Sequence, residues 1–333
     1  MNSPPLVTVL TPFHNTGQFL AECMESVLRQ TYQNWEYILV DNCSTDGSGE
    51  LAADYASRFP EKIRLVRTKF LLPQIQNYNF SLTCISPQSK YCKMVQADDW
   101  LFPDCITQMV AVAEDHPSVG IVAAYELEGD EVRLDGLPYS TPELSGRDAC
   151  RLYFLNHKYL FGTPTSLLLR SEIVRARDPF YDERLAPFED GHACFDLLET
   201  WNFGFVHQVL TYSRRDNTSS LSRIRPFAFL FLLRLTFVVA HGRNYLDGHE
   251  YDQCLKEAEG EYFLYLARCA SALRRPSADF WRFHREGLAA INYSLDWRLL
   301  AKWVPAALLE KAGERLAAMM EPGFGRWRRL RKE

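Results

Sequence analysis

No two of the nine cysteines stand in a CxxC pair, so a zinc knuckle is not expected. They fall singly at 23, 43, 84, 92, 105, 150, 194, 254 and 269, an odd number that does not build a disulfide frame. Met1-Asn2-Ser3-Pro4-Pro5 leads straight into a strand-like run, so no signal peptide is expected. Together these absences predict a reducing, cytoplasmic setting, in which the sequon Asn217-Thr218-Ser219 is a chance match. The longest apolar run, PFAFLFLLRLTFVVA at 226–240, is interrupted by Arg234 and falls short of the roughly 20 residues of a membrane-spanning helix. It reads as a buried or interfacial helix. Basic excess is missing too: 37 Lys+Arg against 42 Asp+Glu leave a net charge of −5, which argues against nucleic acid as the main partner. No GxGxxG follows the first strand-like run, which disfavours a dinucleotide dehydrogenase.

What remains is an ordinary globular composition. The chain has 333 residues, 47% hydrophobic and 24% charged, which excludes disordered, collagen-like and coiled-coil classes. That length suits one large α/β domain with an appendage, or two modest domains. Aromatics reach 13%, enough to fill a core and still leave rings to line a site.

The first 125 residues alternate regularly. LVTVLT at 6–11 reads as a buried parallel strand. Asn15 or Thr16 can cap the next helix, whose apolar positions Phe19, Leu20, Cys23, Met24, Val27 and Leu28 share one face. WEYILV at 35–40 is a second strand, closed by the turn-rich DNCSTDGS at 41–48. Further strands are predicted at 63–67, 91–96 and 119–125, with helices at 73–85 and 102–114 between them. Strand, helix, strand at this spacing predicts an open, mostly parallel sheet with helices on both faces. Beyond 126 the alternation weakens, with a helix near 147–155 and a strand at 165–169. From 226 onward the pattern is helical only. The boundary is placed at 222–226, giving a domain over 1–225 and an all-helical extension over 226–333.

Ligands of such sheets bind at the carboxyl ends of the strands. Three polar breaks fall there: 11–15, 41–46 and 96–99. Asp98-Asp99 is the sharpest of them. Adjacent carboxylates repel, and hard divalent ions such as Mg²⁺ or Mn²⁺ take oxygen ligands together with substrate phosphates. The pair therefore suits a metal–diphosphate site, with N-capping of the next helix as the plainer reading. Asp41 and Asn42 can read ribose hydroxyls and a base edge, or merely close an Asx turn.

In order along residues 6–225, the chain resembles a family 2 glycosyltransferase of the GT-A fold. VLTPFHN at 9–15 is similar to the family's opening V-I-I-P-x-Y-N, and SVLRQTY at 26–32 to its S-I-L-x-Q-T. EYILVDNCSTDGS at 36–48 resembles E-x-I-V-V-D-D-G-S-T-D-G-S. Gln76-Asn77-Tyr78-Asn79 resembles the segment before the metal motif, Asp98-Asp99 the metal motif itself, and Phe188-Glu189-Asp190 the catalytic E-D segment.

The resemblance implies that Pro12, His14, Asn15, Asp41, Asn42 and Asn79 bind the nucleotide sugar. Asp98 would hold the ribose side, and Asp99 the Mn²⁺ or Mg²⁺ that bridges the diphosphate. Asp190 would be the general base of an inverting transfer to a hydroxyl of a glycan or lipid-linked acceptor in surface polysaccharide synthesis. Arg214 and Arg215 look like the basic end segment Y-R-x-H, with Asp216 or Asn217 near its His. Trp100, Phe161, Gly162, Thr163 and Glu189 are expected at the sugar or acceptor pocket. His14, Asn42 and Tyr78 depart from the usual Tyr, Asp and Arg. UDP or dTDP donors are the expectation. His192, His207 and His241 lack ligand spacing and are read as ordinary core or surface residues. The basic tail at 326–332 either contacts anionic lipid at the inner face of the membrane or is a solvated end. The extension is a candidate for homo-oligomer contacts. A binding module without transfer, and a nucleotidyltransferase, are the alternatives. The latter normally carries a basic loop after the first strand, and here no Lys or Arg precedes Arg29.

Overall fold

A computed structural model describes residues 3–215, 227, 229–271, 276–295, 298 and 300–309. The expected boundary at 222–226, Asp216, Asn217 and the basic tail at 326–332 lie outside the described residues. The chain separates into two compact units, Met1–Arg223 with Asn244–Leu246 and Ile224–Arg243 with Asp247–Glu333.

The first unit is built on β1 (Val7–Phe13), β2 (Trp35–Asp41), β3 (Ile63–Arg67) and β4 (Tyr91–Met94), all parallel in the order β3-β2-β1-β4. Helices α1 (Gly17–Leu28), α2 (Ser48–Arg58) and α3 (Gln74–Thr83) connect them. Next come β5 (Trp100–Leu101), α4 (Cys105–Asp115) and β6 (Val119–Glu128). The sheet continues from β4 through β9 (Leu168–Arg170) to β6, then to β10 (Asn202–Ser213) and β5. Strand β9 is antiparallel to both neighbours, whereas β6 and β10 run parallel. Two short strands, β7 (Glu131–Arg133) and β8 (Glu143–Leu144), are antiparallel additions to β6 and β10. The expected α/β class with an open, mostly parallel sheet is therefore what the chain adopts.

Burial explains the alternation. All seven residues of β1 are buried, as a strand covered on both faces requires. Helix α1 turns Leu20, Cys23, Met24 and Val27 into the same core. In register, Phe13 pairs with Asp41 and Leu10 with Met94, so the polar residues that follow β1, β2 and β4 emerge along one edge.

Two local expectations differ from the structure. Thr16 precedes α1 but makes no side-chain cap, and Asn15 sits at φ 53° with its side chain turned elsewhere. The strand expected at 165–169 begins only at Leu168, after a 3-10 turn over Pro164–Ser166. Proline at the first turn position has no N–H to give a ladder, and Thr163 with Ser166 closes a capping box around it.

Helix α5 (Gly146–Asn156) is followed by the short α6 (Ser171–Arg175) and opens against the end of α7 (Glu189–Leu198). A Cβ on Gly146 would lie 2.0 Å from Leu198 O and 2.3 Å from Trp201 O, both backbone atoms. Gly146→Ala is expected to cost about 2–3 kcal/mol through overpacking, read as a fall in the thermal midpoint. An unchanged midpoint would show that the backbone there yields.

The second unit is helical as far as it is described. Its helices include Gly248–Ala270 and Ala278–Ala290, preceded by Phe229–Tyr245, whose last two residues belong to the first unit. Asp247 and Glu250 form a capping box at the start of the longest one. Aromatics fill its core: Tyr262, Phe263, Phe280 and His284 are buried, with Tyr262 Oη 3.1 Å from His284 Nδ1. Burial lowers His284 to about 4, so this ring is a neutral core residue near pH 7. No helix among the described residues is long and apolar enough to cross a membrane. All nine cysteines are free thiols, six of them buried.

Candidate active site

The turn after β4 carries the densest chemistry. Asp99 is 5% exposed. Its Oδ2 accepts from Thr165 Oγ1 at 2.7 Å and from Ser213 Oγ at 3.3 Å, and its Oδ1 accepts from Arg214 N at 3.1 Å. Burial, then the neighbouring charge of Asp98, pushes Asp99 up to about 8. Asp98, half-buried, is also raised by burial, against the pull of Arg214. Thr165 Oγ1 and Arg214 N hold Asp99 in place, the single Ser213 Oγ proton lies between Asp99 and Glu126, and burial still keeps the Asp99 carboxyl raised. Two adjacent carboxyls, both raised by burial, present hard oxygens of the kind that suits a divalent ion such as Mn²⁺ or Mg²⁺. The residues present therefore fit such an ion, with Asp99 as the residue that would hold it.

Three residues that support this turn were not singled out from the sequence. Glu126, near the end of β6, is buried and accepts from Ser213 Oγ and, at 3.4 Å, from Thr163 Oγ1. Lys93 in β4 is wholly buried and donates to Thr165 O at 2.8 Å and Leu167 O at 3.2 Å. Thr165 is thus held from behind while its hydroxyl serves Asp99 and accepts from Gln96 N at 3.0 Å. The signal available in the sequence was a lysine inside YCKM and a glutamate inside VGIVAAYELE, charged residues in runs otherwise fit for the core.

Along the same edge, Pro12 lies in β1 opposite Val40. His14 Nδ1 is 2.8 Å from Asn42 O, and Asn15 Oδ1 accepts from Thr45 N at 2.8 Å. Asp41 accepts from Ser44 N at 2.9 Å and faces Arg67 Nε at 3.6 Å. Glycine is required at 49, because a Cβ there would come within 2.5 Å of Asp41 Oδ2. A cavity of about 220 Å³ opens here, lined by Asp41, Cys43, Ser44, Gly49, Glu50, Arg67 and Thr68.

Other expected nucleotide ligands face the protein itself. Asn42 donates to Leu72 O at 2.9 Å and accepts from Leu72 N at 2.8 Å and Thr68 Oγ1 at 3.1 Å, pinning the loop after β3. Asn79 donates to Tyr181 O at 2.9 Å and accepts from Tyr181 N at 2.8 Å. Arg215 pairs with Glu128 at 3.0 Å and Glu131 at 3.5 Å. Arg214 differs: its guanidinium lies 4.6 Å from the Phe19 ring centre, donates to Asp98 O at 3.1 Å and reaches Glu22.

Glu189 and Asp190 occupy the first turn of α7 rather than its cap, which is Phe188 without a side-chain bond. Asp190 accepts from Gly191 N at 2.7 Å. Glu189 is buried, and its Oε2 has no hydrogen-bond partner among the described residues. Burial raises both carboxyls, and the Asp190 charge raises Glu189 further. Trp100 stacks on Tyr212 at 4.8 Å. Phe161, expected at the pocket, is instead 1% exposed and packed against Phe195 and Phe203. Gly162 takes φ 67°, and Thr163 is spent on Glu126 and Ser166. His207 is bonded to Tyr125 Oη and Thr141 O, each at 3.0 Å, and His192 is buried in α7.

Residues 8–177, just over half the chain, match the family model described as Glycosyl transferase family 2. The Bacillus subtilis protein named uncharacterized glycosyltransferase EpsJ is 45% identical over 234 residues, 66% of this chain and 64% of that protein. The chain spans about half the length, or less, of several other curated relatives it matches. Among solved structures, S. aureus TarS 1–349 in complex with UDP-GlcNAc aligns with a TM-score of 0.61 at 15% identity, covering 86% of this chain and 81% of that one. The Pyrobaculum calidifontis mannosyltransferase PcManGT, in complex with GDP-Man and Mn²⁺, aligns at 0.51 and 17% identity, covering 93% and 86%. At these identities the likeness is one of fold.

Proposed function

The chain belongs to glycosyl transferase family 2, and on that premise we propose that it transfers a sugar, with inversion, from a nucleoside diphosphate sugar to a hydroxyl of a glycan or lipid-linked acceptor. Residues 1–225 would be the catalytic unit and 226–333 an extension, helical in its described residues. The observation that carries this reading is the buried Asp98-Asp99 pair at the carboxyl edge of the sheet, with Asp99 held by Thr165 Oγ1 and Arg214 N and its carboxyl raised by burial and by Asp98.

The residues divide the work by position. The Asp41 cavity takes the base and ribose side, of a UDP or dTDP donor in the first instance. Asp98 would hold the ribose side and Asp99 a Mn²⁺ or Mg²⁺, which would offset charge developing on the leaving diphosphate. Arg214 sits beside Asp98 O, and its guanidinium is placed to add to that neutralisation. The acceptor oxygen attacks the anomeric carbon, the bond from that carbon to the phosphate oxygen breaks, and the diphosphate leaves with the electron pair. Asp190 takes the acceptor's proton at its carboxylate.

A panel of UDP-, dTDP- and GDP-sugars, with Mn²⁺ and glycan or lipid-linked acceptors, tests the reading. Transfer with inverted anomeric configuration is the expected result. Absence of transfer and of hydrolysis across the panel would overturn it.

A further inference from the structure

Glu126 is the last buried residue of β6, 4% exposed, and it plays no part in the mechanism above. Its Oε1 accepts from two hydroxyls, Ser213 Oγ and, at 3.4 Å, Thr163 Oγ1. A buried carboxyl held by hydroxyls is a costly choice where an apolar side chain would simply extend the core. The two hydroxyls show what that choice serves.

They belong to the two segments that hold Asp99. Ser213 ends β10, and the next N–H, from Arg214, donates to Asp99 Oδ1 at 3.1 Å. Thr163 opens the 3-10 turn Pro164–Ser166 and donates its own N–H to Ser166 Oγ at 3.3 Å. Between those two residues stands Thr165, whose hydroxyl donates to Asp99 Oδ2 at 2.7 Å. A single oxygen of Glu126 therefore ties the strand end to the turn, and Asp99 is held between them. Ser213 has one proton for two carboxyls, and it lies nearer Glu126 than Asp99, whose Oδ2 is 3.3 Å away. With that proton drawn to Glu126, each Asp99 oxygen has one donor and keeps a lone pair.

We propose that Glu126 is a positioning residue for Asp99. Through Ser213 and Thr163 it locks the end of β10 to the 3-10 turn, so that the Asp99 carboxylate is held with a lone pair of each oxygen open to a divalent ion. This rests on Asp99 as the residue that would hold such an ion.

Calorimetry of UDP, dTDP and GDP binding, each in Mn²⁺ and in EDTA, reads the metal's contribution without turnover. Wild type should bind at least one of the three more tightly in Mn²⁺. Glu126→Met should lower that enhancement by about 10- to 100-fold, as loss of a residue supporting a metal ligand does, and leave the affinity in EDTA unchanged. Glu126→Gln keeps an oxygen for Ser213 and should retain the enhancement within about threefold. Ser213→Ala should lower it in the wild-type background and cost nothing further in Glu126→Met, because residues that act through one another are not additive. Glu126→Asp, one methylene short of Ser213, gives the same reading if Glu126→Met fails to fold. A full enhancement in Glu126→Met, even with a lower thermal midpoint, or additive losses in the double variant, would overturn the role of Glu126. No enhancement by Mn²⁺ in wild type with any of the three would instead overturn the ion at Asp99, and this inference with it.

Discussion

Asp99→Asn is expected to lower transfer by about 10³-fold and to abolish any dependence of nucleotide binding on Mn²⁺. In metal-free protein it is also expected to flatten the pH dependence of stability. Asp99 is almost fully buried, and burial with the adjacent Asp98 charge raises it to about 8. An unfolded aspartate titrates at about 3.9. Between those values the folded protein keeps a proton that the unfolded chain has lost. Stability of the wild type therefore falls as pH rises from about 4 towards about 8, and the protection is complete only below about 4. Asparagine cannot ionise, so the stability difference must move in the variant's favour across that window. Thermal melts in EDTA at pH 5 and pH 8 measure it. A constant difference at both pH values would mean that Asp99 carries no uncompensated charge, and the argument for a cation there would lose its physical basis.

The parts of this site that were legible in the sequence are those where a polar residue ends an apolar run. Asp41 closes WEYILV, Asp98-Asp99 follow YCKMV, and Glu189-Asp190 open a helix. Periodicity locates strand and helix ends, and a parallel sheet gathers strand ends on one edge. The supporting residues obey no local rule. Thr165 reaches Asp99 across 66 positions and Ser213 across 114, so their roles exist only once the sheet has formed. Asn42 and Asn79 show the opposite failure. Amides beside a cleft look like ligands, yet Asn42 braces the loop at Thr68 and Leu72, and Asn79 clamps Tyr181. Side-chain amides satisfy backbone groups as readily as they satisfy a base. Phe161 is similar: its position beside Gly162 suggested a lining residue, and its burial among Phe195 and Phe203 makes it core.

Asp190→Asn should also cost about 10³-fold in turnover, within the 10²–10⁴ of a lost general base, but with a different pattern. Asparagine keeps the shape and can still accept the Gly191 N–H that holds Asp190 at 2.7 Å. Affinity for the nucleotide sugar and its Mn²⁺ dependence should survive, so kcat falls while KM for the donor stays. The pH profile makes the distinction sharper. Burial lifts Asp190 above the ordinary carboxylate value of about 4, towards the range where a base works at neutral pH. Since only the ionised carboxylate accepts the proton, wild-type kcat should climb with pH on a limb displaced upward from about 4, then level off. In Asp190→Asn that limb should disappear and the residual rate run flat. Asp99→Asn, by contrast, loses the metal response and keeps the base. A variant at 190 that retains both its rate and its acid limb would move the base to another group, and Glu189, whose carboxyl is raised by burial and by Asp190 itself, would be the next to replace.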